Sequence, residues 1–586
     1  RRGRNLPRVF RDCNGPFIIT VNMARLVQLG IVDYLILGVL LLMSSAIGVY
    51  FRFAGKDKRT TKEYLLGNQE MGIFPVACSL TASLLSAITI LGTPSEIYHF
   101  GLKYTLLNVS FFIATPIVAH FFLPIYHNLG NISMYQYLKI RFGNLTKIFV
   151  SSVFILQTLF YLAIVLYAPA LALASVVELP ISSSIVIVGV VTTIYSTIGG
   201  MKAVLFTDVL QMLVIYGSII TVAVLGTIEM GGVSPIMHAA KLGGRLKVLD
   251  FRLDPKVTYS VWSVILGGVC SFLGQNAVSQ TQIQRLLSIG SMRKSQLALY
   301  FQWLIALFVN LLLAYIGLIL YFKYKDCDPV KNEEISQNDQ LYPFYVIQSF
   351  EKYPGVAGLA FAGILSGSLS SLSSCLNSLA AVAIQDYIRP ICKSPLSEGK
   401  AYILSQITVL ISGAITIGLS FTIMEVGGIV KASQLILGAL AGPILGIFIM
   451  GLIIPFSNQL GCIVGSVVSI SFGIYMTFVN ERLDNGYPVS IEGCANSTIS
   501  EIPNEFYRDI DEETKGSFIN ISSLWISPMA TTIVLIVGSL VSYVTRSRNG
   551  PVSPTTVLPF VRKYLHAHEI STEMHEVDSR DIFKLT

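Results

Sequence analysis

The sequence predicts an all-α polytopic membrane protein, and three observations carry that reading. Of its 586 residues, 53% are hydrophobic and only 13% charged, against roughly 25% charged in an ordinary soluble domain. Thirteen apolar runs near bilayer length follow one another between residues 31 and 544. Three of those runs carry small and polar residues where a plain span would be leucine and valine, which points to a purpose inside the membrane.

The runs cover residues 31–51, 72–98, 105–126, 148–177, 181–198, 204–228 and 259–278, then 297–321, 356–384, 402–423, 433–454, 462–479 and 524–544. Each is close to the roughly 20 mainly apolar residues that a helix needs to cross about 30 Å of hydrocarbon. Run 72–98 holds Ser79, Thr81, Ser83, Ser86 and Thr89, followed by Gly92, Thr93 and Pro94. A helix interrupted near the membrane centre is expected there. Five helices later, run 259–278 carries Gly267, Gly268, Gly274, Gln275 and Asn276. Interrupted helices at corresponding places in two halves point to an inverted-repeat transporter with its site at midplane, an ordinary glycine kink being the alternative.

Run 356–384 is the one around which the chain is organised. Residues three or four apart share a helix face, so Gly367, Ser370, Ser371, Ser374, Asn377 and Ser378 form one stripe of small and polar groups. Lipid offers hydroxyls no partners, so the stripe must face other helices or water. Close helix packing accounts for it at one level. An ion site accounts for it at another, because hard cations take several oxygen ligands and serine supplies them without charge.

Loop charge sets the expected orientation. Arg52, Lys56, Lys58, Arg59 and Lys62 make the first loop strongly basic and hence cytoplasmic. Alternation then puts Lys139 and Arg141 inside, with Arg285, Arg293 and Lys294, and with Arg389, Lys393 and Lys400. One basic loop, with Lys241, Arg245, Lys247, Arg252 and Lys256, falls on the outer side. The division is an outer N-terminal segment at 1–30, a membrane domain at 31–545 and a cytoplasmic tail at 546–586. Met23 is the more convincing start, and the Arg-rich residues before it read as a leader or an extension of the gene model. The sequons at Asn496 and Asn520 both fall in a loop that alternation places outside. Cys327 and Cys494 lie in the two outer hydrophilic loops, where a bridge and two free thiols are both admissible.

Other classes find little support. The net charge of +7 is spread over short loops, and no hydrophilic block exists to make a nucleic-acid-binding face. Eight cysteines contain no Cys-x-x-Cys pair, and seven scattered histidines form no metal or protease motif. Neither an enzyme nor an organic cofactor is expected. A membrane sensor of the same fold is the rival from another class, but no soluble signalling domain is appended.

Several stretches resemble the sodium/solute symporter family. They are Tyr64-Leu-Leu-Gly67, Ala87-Ile-Thr-Ile-Leu-Gly-Thr-Pro94 and Gln280-Thr-Gln-Ile-Gln-Arg285, together with Ile198-Gly-Gly-Met-Lys-Ala-Val-Leu-Phe-Thr-Asp-Val-Leu-Gln211. The serine stripe running into Ala380-Ala-Val-Ala-Ile-Gln-Asp386 is similar as well. Gly427-Gly-Ile-Val-Lys-Ala-Ser433 with Gly442-Pro-Ile-Leu-Gly446 resembles the branch carrying monocarboxylates, vitamins and iodide. The resemblance extends from Ile31 to Val544. It implies a LeuT-like core of two five-helix inverted repeats, 72–228 and 259–454, after one leading helix and before two trailing ones.

The resemblance also implies the site. A principal sodium ion would be held by backbone carbonyls of Ala82, Leu85 and Gly367 and by the hydroxyls of Ser370 and Ser371. A second would use Asp208, Ser373 and Ser374, although Asp208 can also be a solvated carboxylate near a helix end. Ser83, Ser86, Thr89, Gln275, Asn276 and Ser279 are candidates for lining the substrate cavity. Sugar-carrying members usually have an aromatic pair at the positions of Gln275 and Asn276, so a sugar is disfavoured. Members of the anion branch often have an aromatic, a glycine and an asparagine where this chain has Asn276, Ala277 and Ser279. The expected partners are therefore sodium, a small organic anion and the lipid bilayer, with an inorganic anion such as iodide as the alternative cargo.

Overall fold

The structure is a computed structural model that describes residues 29–54, 61–130, 132–174, 180–392, 396–423, 429–479, 486–494, 520–545 and 553–562. Among them it contains helices and no strand. Met23 and Asn496 lie outside the described residues.

Helix α1 (Ile31–Ala54) leads. The run expected to be interrupted is two helices, α2 (Ile73–Leu84) and α3 (Ala87–Phe100). The break falls at Leu85–Ser86, among the hydroxyl residues, and Pro94 sits within α3. Next come α4 (Leu107–Ile117) and, through a π-helical turn at Val118–Phe122, α5 (Leu123–Leu129). Short α6 (Gln136–Phe142) leads into α7 (Asn144–Ala174).

Helix α8 (Ile181–Glu229) runs for 49 residues and breaks at Gly200, whose φ of 63° and ψ of −173° are not helical. An unbroken helix of that length would measure about 74 Å, more than twice the hydrocarbon thickness. Its halves correspond to the runs 181–198 and 204–228. A side chain at Gly200 would also collide with the Tyr64 ring, its Cβ falling 2.6 Å from a ring carbon. Glycine thus serves both the left-handed turn and the close approach.

After α9 (Val233–Leu242), the run 259–278 becomes α10 (Val261–Asn276), followed at a 59° bend by α11 (Gln280–Leu287). The glycines of α10 are not its hinge. A Cβ on Gly267 would lie 2.4 Å from the Leu524 carbonyl, and one on Gly268 would lie 2.5 Å from Ser110 Oγ. They let neighbouring helices approach closely, while the bend comes after Asn276.

Helices α12 (Met292–Tyr324), α13 (Leu341–Phe350) and α14 (Val356–Val382) follow. The chain ends its spans with α15 (Glu398–Ile423), α16 (Ile429–Ile453), α17 (Gln459–Val479) and α18 (Ile526–Val544). By length and composition, ten helices among the described residues can cross a membrane, or eleven if the bent pair counts as one span. The difference from thirteen runs arises at the joins. The α8 segment unites two runs, and the continuous stretch Ala87–Leu129 takes half of run 72–98 into the next.

Helix α14 is the hub. It is buried along most of its length and packs on α8, α7, α1 and α15. Its small residues permit this: a Cβ on Gly358 would lie 2.5 Å from Asp33 Cα of α1, and one on Gly363 would lie 2.1 Å from Ser218 Oγ of α8.

In the basic loop that falls on the outer side, Arg245 and Arg252 have local partners. Arg245 is buried, with its guanidinium 4.0 Å from the centre of the Tyr321 ring and 5.0 Å from that of Tyr487. It donates to the carbonyls of Gly243 and Pro488 at 2.9 and 3.1 Å. Asp250 accepts from Arg252 at 2.6 Å and from Lys103 at 2.9 Å. Those bonds, the Arg252 one foremost, hold its carboxyl well below the usual carboxylate range. Arg245 and Arg252 are thus held locally while Lys241 and Lys247 stay exposed, and the loop remains an exception to the positive-inside pattern. Cys327 and Cys494 form a disulfide. It ties residues 486–494 across the end of α3, where Tyr487 N–H donates to His99 O at 2.8 Å.

On the opposite side Arg141, counted above as a loop charge, is buried. It caps the end of α16 by donating to the carbonyls of Gly451, Ile454, Pro455 and Ser457. Gly451 lies in the last turn of α16 and the other three just past its end at Ile453, where the negative end of the helix favours a guanidinium. Part of the expected tail packs here too: Leu558 N–H donates to Leu452 O at 3.2 Å, and Val557, Leu558 and Val561 are buried.

Candidate functional site

Two helix ends meet at the Leu85–Ser86 break. Leu85 leaves helical geometry with ψ of 70°, its N–H donating back to Thr81 O at 2.8 Å. Ser86 is extended, and its carbonyl accepts the first bonds of α3, from Thr89 N–H at 3.0 Å and Ile90 N–H at 3.3 Å. The C-terminal carbonyls of α2 and the N-terminal amides of α3 thus face one another within the protein. Their partial charges are of opposite sign, so a cation is favoured on one side and an anion on the other.

Helix α14 presses on this break through Gly367. A Cβ there would meet Leu85 O at 2.8 Å and Ala87 N at 3.1 Å. One turn on, the Ser371 hydroxyl donates to Ser83 O at 3.2 Å and to Gly367 O at 3.0 Å. Ala82, Leu85, Gly367, Ser370 and Ser371 are all buried. The structure therefore gathers Leu85, Gly367 and Ser371 around one point, with Ala82 in the same last turn of α2. Ser370 faces a different partner: its hydroxyl donates to Asp208 Oδ1 at 2.7 Å.

Asp208 is not a solvated carboxylate. It is fully buried, and its Oδ2 accepts from Ser79 Oγ at 2.5 Å. Arg285 Nη2 lies 3.5 Å from the same oxygen. The guanidinium also donates through Nε to Ser79 Oγ at 2.7 Å, through Nη1 to Thr281 O at 3.0 Å, and through Nη2 to Ser374 Oγ. Ser374 thus joins the Asp208 cluster by way of Arg285. Ser373 bonds elsewhere, to Ser370 O at 3.1 Å. Loop charge puts Arg285 in a cytoplasmic loop, whereas the structure buries its side chain, which is 1% exposed. Sequence reasoning saw its motif and missed its role, which appears only when α11 is folded against α2 and α14 and its arginine reaches Asp208 of α8.

Beside the break lies a cavity of about 150 Å³, lined among others by Ser86, Thr89, Tyr161, Ser271, Gln275 and Gln434. A smaller chamber of about 50 Å³ adjoins it, with Ser83, Gln157, Tyr161, Gln275, Ser279 and Gln282 in its wall. Leu84, Tyr161, Gln275 and Leu437 are common to both walls. Five of the six substrate candidates (Ser83, Ser86, Thr89, Gln275 and Ser279) thus line this space. The structure places Asn276 elsewhere: it is fully buried, donates to Phe272 O at 3.2 Å and accepts from Gln302 at 3.1 Å. Gln275 faces the cavity, and Asn276, about 100° further round the helix, points away from it toward Gln302. Tyr161 was not anticipated. Its hydroxyl lies beside Ser86 and Ser371, connecting the cavity wall to the break. Among the described residues, no charged one lines either space.

Comparison with known proteins gives consistent matches. Residues 64–469 match the sodium:solute symporter family profile, more than half of the chain. A putative sodium-dependent multivitamin transporter of Drosophila melanogaster is 37% identical over 88% of this chain and 87% of its own. Sodium-coupled monocarboxylate transporter 1 of Homo sapiens is 36% identical over 90% of this chain and 89% of its own. Among solved structures, a Na+-coupled sialic acid symporter in a substrate-bound outward-open state superposes with a TM-score of 0.74. It shares 21% identity and covers 89% of this chain and 99% of its own, a likeness in fold.

Proposed function

This chain belongs to the sodium:solute symporter family, and from that premise we propose that it imports a small organic anion, a monocarboxylate or vitamin-like carboxylate, together with sodium. It is a multi-pass membrane transporter, and its import is coupled to sodium. The relatives named for monocarboxylates and multivitamins support the choice of cargo.

One observation carries the physical side of the reading. The cavity beside the break is walled by hydroxyls, amides and apolar groups, with no lysine or arginine among the described residues of its lining. A carboxylate entering it would have two positive partners: the N-terminal end of α3 and a cation held at the break. The sodium is then the counter-ion of its own co-substrate, which makes the binding of each depend on the other. The enclosed volume, about 150 Å³ with about 50 Å³ adjoining, lies below the roughly 300–1,000 Å³ of drug-sized pockets and suits a compact acid. Each sodium entering at about −60 mV down a tenfold gradient releases roughly 2.8 kcal/mol, half from potential and half from concentration. For one sodium moving with one monovalent anion the potential terms cancel, and the tenfold sodium gradient alone concentrates the anion about tenfold.

The deciding experiment is uptake of labelled lactate, butyrate, biotin, pantothenate, iodide and glucose into oocytes, in sodium or with choline replacing it. Sodium-dependent uptake of one or more carboxylates, competed by the others and not by glucose, is expected. Glucose uptake untouched by carboxylates would reverse the reading of Gln275.

A plasma-membrane location is proposed, with the N-terminus outside and the C-terminus inside. It is supported by the Cys327–Cys494 bridge, since disulfides persist on the oxidising side. Changing Asn496 and Asn520 together to glutamine should remove glycan from the expressed protein, read as a mobility shift equal to that given by endoglycosidase. A glycan that persisted in the double variant would overturn this orientation. Asn520 is half-buried, and Ser522 of its sequon is buried with its hydroxyl on Thr258 O at 2.8 Å.

A further inference from the structure

We propose that the Arg285 guanidinium is a tethered cation, which fills the second cation position of this transporter and competes with an incoming sodium for Asp208 and Ser374. The proposal rests on the sodium-coupled reading above and deepens it, since it says what governs the second ion.

The observation is one of occupancy by a side chain. Of the three groups expected to hold a second sodium, the carboxylate and one hydroxyl are both engaged by Arg285. Its Nη2 lies 3.5 Å from Asp208 Oδ2 and donates to Ser374 Oγ. Its Nε donates at 2.7 Å to Ser79, which in turn donates to Asp208 at 2.5 Å. A positive charge already sits where the ion would. Asp208 and Arg285 are both buried and neutralise one another, so a sodium arriving at the intact pair would bring one uncompensated charge into a low-dielectric interior. It can be accommodated only if the guanidinium moves away. The backbone bond from Nη1 to Thr281 O at 3.0 Å holds the arm to its own helix, so it remains close by as a competitor.

The same pair reaches the first site. Asp208 Oδ1 accepts from Ser370, a hydroxyl also expected to serve the ion at the helix break. Movement of Arg285 would therefore change what holds Ser370, and the two cation positions would be linked through a single carboxylate.

The test uses purified full-length protein and radioactive ²²Na⁺ alone, so that it does not depend on which anion is carried. Wild type should bind close to one sodium per chain tightly and a second at least tenfold more weakly. Arg285→Gln removes the tethered charge and leaves Asp208 for an ion, so the second affinity should tighten by at least tenfold. Asp208→Asn/Arg285→Gln should bring binding back to one tight ion. An unchanged second affinity in the Arg285→Gln protein would overturn the proposal. So would two equally tight ions in wild type that fall to one in Arg285→Gln. If Arg285→Gln fails to fold because Asp208 is left unpaired, Arg285→Lys replaces it. A lysine cannot hold Ser79, Ser374 and Asp208 together, so tightening of about threefold is expected, and none would count against the proposal. Wild type that bound no ²²Na⁺ at all would bring down the sodium reading itself, a result distinct from an Arg285 variant without effect.

Discussion

Replacing Gly367 with valine should abolish sodium-driven uptake while the protein still reaches the cell surface, and alanine should lower uptake at least tenfold. The reason is the contact between α14 and the helix break. A single Cβ at this position would stand 2.8 Å from Leu85 O, 3.1 Å from Ala87 N and 3.1 Å from the Ser86 carbonyl carbon. All three are backbone atoms, which cannot rotate aside as a side chain can. Either α14 retreats from the break or the break changes shape, at about 1–3 kcal/mol for an overpacked buried contact. Both responses move Gly367 O and the Ser371 hydroxyl away from the α2 carbonyls, so the oxygens converging here would no longer surround one point. Uptake of a carried carboxylate and surface biotinylation, measured on the same cells, separate this effect from misfolding. An alanine variant with wild-type uptake and wild-type sodium dependence would show that the approach of α14 does not shape the site.

How much of this was legible in the sequence depends on the range of the interaction. Apolar runs, hydroxyl clusters and the stripe on α14 are local in sequence and appear in the fold as helices, although the ends of the runs are redrawn where two join or one divides. The position of the first break was legible because Ser79, Thr81, Ser83, Ser86 and Thr89 mark it, whereas Pro94 lies inside α3 without interrupting it. The glycines of α10 were misleading in one respect. Gly267 and Gly268 admit Leu524 and Ser110, and the bend lies beyond them. A glycine that allows close approach and one that allows a bend look alike until the neighbours are known.

The side-chain roles that escaped are those decided by distant partners. Arg285 and Arg141 read as loop cations because their nearest sequence neighbours include other basic residues or polar loops. In the fold one neutralises Asp208 and the other caps α16. Asn276 is a polar residue beside Gln275, and only the direction of its side chain, toward Gln302 and away from the cavity, separates the two. Tyr161 lies in an apolar run with nothing local to mark it, yet it touches both the cavity and the hydroxyls at the break.

Ser371→Ala should raise the sodium concentration for half-maximal uptake roughly 10- to 100-fold, with much of the transport restored at saturating sodium. In the structure the hydroxyl is held between Ser83 O and Gly367 O, at 3.2 and 3.0 Å. It is fully buried, so water is poorly placed to substitute for it. Ser370 and Ser371 point about 100° apart on the helix, and only Ser371 faces the break, Ser370 being committed to Asp208. Losing a hydroxyl that meets a cation should cost about 1.5–3 kcal/mol, by comparison with hydrogen bonds to charged groups. Each 1.4 kcal/mol is about tenfold in affinity, which gives the range stated. The control is Ser368→Ala, equally buried on α14, whose hydroxyl donates to Val165 O of α7 at 2.8 Å. It tests packing damage alone, and the sodium concentration for half-maximal uptake should barely move. Two variants that lowered surface expression alike, with sodium dependence unaltered in both, would make the stripe a packing surface. The family assignment would stand, and the ion would have to be sought elsewhere.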